Sequence, residues 1–182
     1  MSHTTPSSRP GALPDVSAGH WTLDPAGTTV GFQHRTFWGL LNVKGVFTEV
    51  GGDGEVLAGG GAHGSVTIGA ASLDTRNAKR DKHLRSADFF DVETHPSLVF
   101  TATEVTPSGD ATVHITGDLT VVGVSRALSF TAKASEVSAD AVTLTAELPV
   151  DRGDFGMSWN QAGMLGSLTR VTIAARFTRR AD

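Results

Sequence analysis

From residue 112 onward the chain repeats one pattern, in which apolar and polar residues alternate one for one. Val113, Ile115, Leu119 and Val121 fall on one face, with Thr112, His114, Thr116, Asp118 and Thr120 on the other. Leu128, Phe130, Ala132 and Ala134 alternate with Ser129, Thr131, Lys133 and Ser135. Val142, Leu144, Ala146, Leu148 and Val150 continue the pattern, as do Val171, Ile173, Ala175 and Phe177. A period of two is the repeat of an extended strand with one buried face. Residues 28–33, 41–49, 64–68 and 98–105 read as earlier strands. Turn residues separate the runs: "GGDG" at 51–54, "PSGD" at 107–110 and "SAD" at 138–140. Sequential strands with short turns imply antiparallel hairpins. One apolar face per strand suits either a sandwich or a closed barrel.

The chain of 182 residues is long enough to bury a substantial core as one domain. Residues 1–19, rich in Pro, Ser and Thr and without periodicity, read as a mobile tail. The domain is expected over 20–179, followed by a C-terminal tail at 180–182. There is no cysteine, which removes disulfides, thiolate metal sites and cysteine nucleophiles. The net charge of −4 lacks the electrostatic footprint of a nucleic-acid binder. The first residues show no apolar stretch flanked by positive charge, and no run is long enough to span a bilayer. A cytoplasmic location is expected.

One segment breaks the alternation. "RDKHLRSADFFD", residues 80–91, is dense in charge and carries adjacent phenylalanines. Asn77, Asp81 and Arg85 stand four apart, a spacing for one helical face. Thr75 or Asn77 can cap the start, and Pro96 directs the chain into the next strand. The pattern predicts a short helical insert near 77–90, made of a helix followed by a turn bearing Phe89 and Phe90. Across a barrel mouth, such a helix would set those rings over the opening. Asp74, Arg80, Asp81, His83, Arg85, Asp88 and Asp91 could form an acid–base site. No spacing among them specifies a reaction, so helix capping and ion pairing are the preferred reading.

Other motifs fail on context. "GGGAHG" at 59–64 resembles a dinucleotide-binding glycine pattern, but a strand-like "SVTI" follows where a helix is required, so a hairpin loop is expected. "RGD" at 152–154 reads as a turn. His20, His34, His63, His83, His95 and His114 show no paired ligand spacing, so no metal site is expected. No serine lies in a nucleophile-elbow pattern. Taken singly, each aromatic residue is better read as core filling; as a set they are compatible with a lined cavity.

"SLDTRNAKRDKHLRSADFFDVETHPSLVF", residues 72–100, closely resembles the signature of the YceI-like family, the polyisoprenoid-binding or lipocalin-like domain. "WTLDPAGTTVGFQHR" from Trp21 is similar to the family's opening, and "VKGVFTEVGG" from Val43 to its second motif. "GDLTVVGVSRALSF" from Gly117 resembles its central hairpin, and "DRGDFGM" from Asp151 its late turn. The match runs in order from about Trp21 to Phe177. Two departures fall at the rim: Ala127 follows Arg126 where proline is common, and "GSLTR" at 166–170 is neutral then basic where acids are frequent.

The resemblance implies an all-β, elongated antiparallel lipocalin-like barrel with a hydrophobic tunnel for a long isoprenoid chain. The expected wall residues are Phe32, Phe47, Phe100 and Phe130, turned inward by alternation, together with Met157 and Trp159. Phe89 and Phe90 are expected to line or plug one end. Trp38, Met164 and Leu165 are placed nearer a mouth, and Phe37 is counted with them. The expected role is a non-enzymatic carrier or store, with no cofactor beyond a bound isoprenoid lipid or quinone-like molecule. A homodimer remains an open option. The rival readings are an enzyme acting on a lipid head group at the tunnel mouth and a ligand-free interaction module.

Overall fold

The computed structural model describes residues 16–181. They form one antiparallel sheet that closes on itself. In chain order the strands are β1 (Gly19–Leu23), β2 (Thr29–Thr36), β3 (Leu41–Phe47), β4 (Val50–Val56), β5 (Ala62–Gly69) and β6 (Leu73–Asp74). The helix α1 (Ala78–Arg85) follows, then β7 (Ser97–Gly109), β8 (Thr112–Val121), β9 (Val124–Ser135), β10 (Ala141–Asp151) and β11 (Leu165–Arg179). Closure comes from β11, which pairs with β10 on one side and with both β1 and β2 on the other.

The first strands come in bent pairs. β1 and β2 share one position in the ring, separated by a tight turn at Pro25–Gly27 that Asp24 caps by accepting from the Ala26 N–H. β3 and β4 share the next, and β5 and β6 the third. The result is an eight-position up-and-down barrel, the closed alternative that alternation alone left undecided. Closure joins the two outer edges that an open meander would leave exposed.

One interval of the ring is thin. β9 and β10 pair only from Thr143–Ser135 to Thr145–Lys133, next to their turn, and part beyond it. Pro149, which has no N–H to give, lies in the part of β10 that β9 does not pair, opposite Arg170 of β11. The gap is bridged near the end of the barrel by Arg126, whose Nε donates to the Asp154 carbonyl. Phe155 and Met157, both buried, pack behind that bridge.

The structure corrects two turn expectations. "GGDG" at 51–54 lies inside β4. Gly52 and Gly54 serve close approach between strands: a Cβ on Gly52 would stand 2.5 Å from the Ser65 carbonyl oxygen and one on Gly54 2.8 Å from that of His63, and on the facing strand a Cβ on Gly64 would stand 2.5 Å from the Asp53 carbonyl oxygen. At "PSGD", β7 continues through Pro107 with a bulge, and the turn falls at Asp110 and Ala111. The turn at 138–140 joins β9 to β10 as expected, and the "GGGAHG" run begins in a hairpin loop and ends within β5. Of the stretch read as a tail, residues 1–15 lie outside the described residues. Ser17 donates its N–H to the Ala139 carbonyl, and β1 begins at Gly19.

The insert folds as a helix with Asn77 as its cap, the side chain accepting from the Arg80 N–H. Asp81, on the first turn, is buried and accepts from the Thr75 N–H at 3.0 Å and the Thr75 hydroxyl at 2.5 Å. Arg80 donates to the Thr75 hydroxyl and carbonyl, and Arg85 to the carbonyls of Ala71 and Leu73. These charges fasten α1 to the strand before it.

Two variants test these points by urea unfolding. Gly64→Ala should cost about 1–3 kcal/mol by forcing β4 and β5 apart. Asp81→Ala, which orphans the Thr75 N–H, should cost about 1.5–3 kcal/mol per the usual loss of a bond to a charged group, whereas Asp74→Ala at the exposed Arg76 N–H should cost under about 1 kcal/mol. Equal effects of the two aspartates would remove the stapling role of Asp81.

Candidate functional site

The inward faces of the strands do not meet at the barrel axis. They enclose a cavity of about 470 Å³, within the range of sites that hold small-molecule ligands. Its wall is aliphatic and aromatic: Leu128 and Phe130 of β9, Leu144 and Leu148 of β10, and Val171 and Ile173 of β11 all face it. Several of these inward side chains are only half-buried, although they point away from bulk solvent. A solid core packed to ordinary density would have covered them.

The two ends differ. At one end Trp21 is 3% exposed, packed in a cluster with Val56, Val137, Val142 and Phe177. Its indole N–H donates to the Ser17 carbonyl, so the plug has its one polar atom satisfied. The other end is roofed by α1 and the turn after it. Phe90 stands edge-on to Phe47 at 5.8 Å, and Phe47 lies 5.4 Å from Phe32. Phe89 lies 5.3 Å from Trp159, and His83 meets Trp159 edge-on at 4.6 Å. The His83 Nε2 is 2.9 Å from an Asp88 carboxylate oxygen.

The expected site residues divide cleanly. Phe32, Phe47, Phe100 and Phe130 lie on the wall, where alternation put them, and Phe100 and Phe130 face one another at 5.6 Å. Phe89, Phe90, Met157, Trp159 and Leu165 lie on it near the roofed end. Phe37, Trp38 and Met164 do not. β2 ends at Thr36, and Phe37 and Trp38 then take left-handed φ values of 50° and 54°. The alternation that assigns inward and outward stops there, and both rings are exposed. Met164 ends the short turn at Gln161–Gly163, off the wall.

Attention to aromatic residues missed the polar members of the site. His34 follows Phe32 by two on β2 and so shares its inward face, a signal present in the sequence. Its Nδ1 is 2.9 Å from the Thr169 hydroxyl, and its Nε2 is buried without a partner among the described residues. Arg152 also reaches the wall; it donates to the carbonyls of Met157, Trp159 and Gly166 and so holds the loop that carries Trp159. Burial holds the His34 imidazole below its ordinary value of 6.5; the Arg152 guanidinium adds to this, and the Gly166 carbonyl opposes it. Of the insert charges, Arg80, Asp81 and Arg85 bond to residues 71–75, Asp74 accepts from the Arg76 N–H and His83 meets Asp88, and no group of three or more His, Asp or Glu among the described residues could hold a metal ion.

Because the folded imidazole resists protonation, His34 stabilises the fold above the unfolded value near 6.5 and that contribution is lost as pH falls toward the lower folded value. His34→Gln should therefore flatten the decline in melting temperature between about pH 7 and about pH 5. An unchanged decline would assign the acid sensitivity to other groups.

A family model described as the YceI-like domain matches residues 21–177. A UPF0312 protein of Ectopseudomonas mendocina is 49% identical over 69 residues, which cover 38% of this chain and 36% of the relative. Protein YceI of Escherichia coli O157:H7 gives the same identity over the same length. The aligned stretch thus spans about a third of the length of these curated relatives. Among solved structures, BcnA of Burkholderia cenocepacia superposes with a TM-score of 0.76 at 18% identity, covering 85% of this chain and 98% of that one. A polyisoprenoid binding domain from Saccharophagus degradans gives 0.71 at 15% identity, covering 88% and 98%. At such identities the likeness is one of fold.

Proposed function

The chain belongs to the YceI-like family, and from that premise we propose that it binds a long-chain polyisoprenoid, or a lipid of comparable apolar length, inside the barrel and serves as its carrier or store. The observation that carries the reading is the continuous apolar cavity of about 470 Å³, plugged at one end by Trp21 and roofed at the other by α1. The fold neighbour from Saccharophagus degradans is described as a polyisoprenoid binding domain, which supports the same ligand class.

Energetics favour a long chain over a short one. Burial of each CH₂-sized group contributes about 0.8 kcal/mol, while association costs on the order of 4–15 kcal/mol in lost freedom. One isoprene unit does not offset that cost, and several do. A wall made mainly of Phe, Leu, Val and Ile, with His34 and Arg152 among its few polar members, reads chiefly length. The charges of the insert argue against the enzyme reading: Arg80, Asp81 and Arg85 are committed to Thr75, Ala71 and Leu73 instead of converging on one point.

Thermal unfolding with a chain-length series tests the proposal. A polyisoprenoid of roughly eight units at a hundredfold excess over its Kd should stabilise by about 2.7 kcal/mol, raising the melting temperature by roughly 5–10 °C. A chain of one or two units should raise it little. Ala146→Phe, which projects a ring into the cavity, should keep the fold and lose the shift. Equal stabilisation by short and long chains would overturn the carrier reading.

A further inference from the structure

The connection between β2 and β3 exposes what the rest of the chain hides. Trp38 is 71% exposed, Leu40 82% and Leu41 54%, with Phe37 beside them at 45%. Leu168 adds a further 58%-exposed side chain from the bulge that opens between Leu165 and Thr169 in β11. Phe37, Trp38 and Gly39 are successively left-handed, with φ of 50°, 54° and 91°. Backbone bonds hold this turn: Trp38 N–H to the Met164 carbonyl, Gly39 N–H to Thr36, and Leu40 N–H to Phe37. A conformation unfavourable for residues bearing a Cβ is thus maintained with the rings in solvent. The tip also continues the tunnel's rim, because Thr36 and its partner Leu165 both line the cavity.

The hairpin that carries the tip is basic. Residues 25–48 contain Arg35, next to the tip, and Lys44 and no carboxylate, in a chain of net charge −4, whereas Arg170, Arg176 and Arg179 of β11 are ion-paired with Glu147, Asp24, Glu136 and Asp140 and do not add to it. Of the acids at this end, Asp91 and Glu93 precede His95, whose ring lies against Gly123 in the β8–β9 turn, across the ring of strands from the tip, while Asp151, opposite Leu168 on β10, is engaged in accepting from the Gly153 N–H. An apolar tip with cations at its base, beside the mouth of an apolar cavity, matches the layering of an anionic bilayer: hydrocarbon beneath negative headgroups.

We propose that the β2–β3 tip is a membrane-docking device, which seats Trp38 and Leu40 in an anionic bilayer and brings the tunnel mouth against the lipid. Its purpose rests on the carrier reading, since docking there gives an apolar ligand a path that avoids water. Its geometry does not. Among the described residues no helix is long and apolar enough to cross a membrane, so the contact proposed is a peripheral one made by the loop.

Co-sedimentation with vesicles tests it. The wild-type chain should bind vesicles of phosphatidylcholine with phosphatidylglycerol and bind phosphatidylcholine alone much more weakly. Arg35→Gln with Lys44→Gln should weaken binding roughly 25-fold, from two charges each contributing about fivefold. Trp38→Ser with Leu40→Ser should reduce it at least as far. Both double variants alter exposed residues and should keep the wild-type circular dichroism and the melting-temperature rise with a long isoprenoid added in solution. Docking is overturned if the wild type ignores the anionic vesicles, if the Trp38/Leu40 variant binds them as the wild type does, or if that variant instead abolishes a concentration-dependent dimer. A protein that gains stability from the isoprenoid yet ignores vesicles loses docking and keeps the carrier reading. One that binds vesicles but gains nothing from any chain length keeps docking and loses the carrier reading.

Discussion

Everything in this fold depends on the pairing of β11 with both halves of the bent first strand. That pairing turns an open meander into a ring, and in a ring period-two alternation acquires a different meaning. Each strand's apolar face points to a space shared with every other strand, and no second layer is available to fill it. The side chains themselves must close the interior. Here they do so at one end, through Trp21 and its valines, and leave the middle unfilled. The cavity is therefore a consequence of closure combined with modest side chains such as Ala102, Ala146 and Val171 on the wall.

The helical insert answers the same constraint from outside. A ring has ends, and a strand cannot cover one. α1 does, but its own apolar content is small, so it cannot be held by burial alone. Asp81, Arg80 and Arg85 supply the attachment by bonding to the backbone of residues 71–75, and Leu84, Phe89 and Phe90 supply the apolar underside. Charge density that could pass in a sequence for an acid–base site serves here as fastening.

The sequence carried most of the strands but not β1 or β4, the antiparallel order, the helix with Asn77 as one of two candidate caps, and the inward position of Phe32, Phe47, Phe100 and Phe130. Alternation is local, so it survives reading one residue at a time. It did not carry the role of the glycines in β4, because a glycine needed for a turn and one needed for close strand approach look alike until the neighbouring strand is in place. It carried the position of His34 but gave no reason to notice it, since its isolation depends on Thr169 and Arg152, which are remote in sequence. Phe37 and Trp38 are expected to meet the ligand near a mouth; the left-handed turn at the end of β2 sends them outward, a choice made by backbone conformation and invisible to a count of apolar residues.

The short ladder between β9 and β10 gives the barrel a property that its otherwise regular pairing conceals. A fully bonded hoop has a fixed girth, because widening it anywhere breaks hydrogen bonds. This hoop is notched. Beyond Thr145 and Lys133 its two lips are joined by side-chain packing and by the Arg126–Asp154 bridge, so widening at this notch would cost that packing and that bridge and no strand pair.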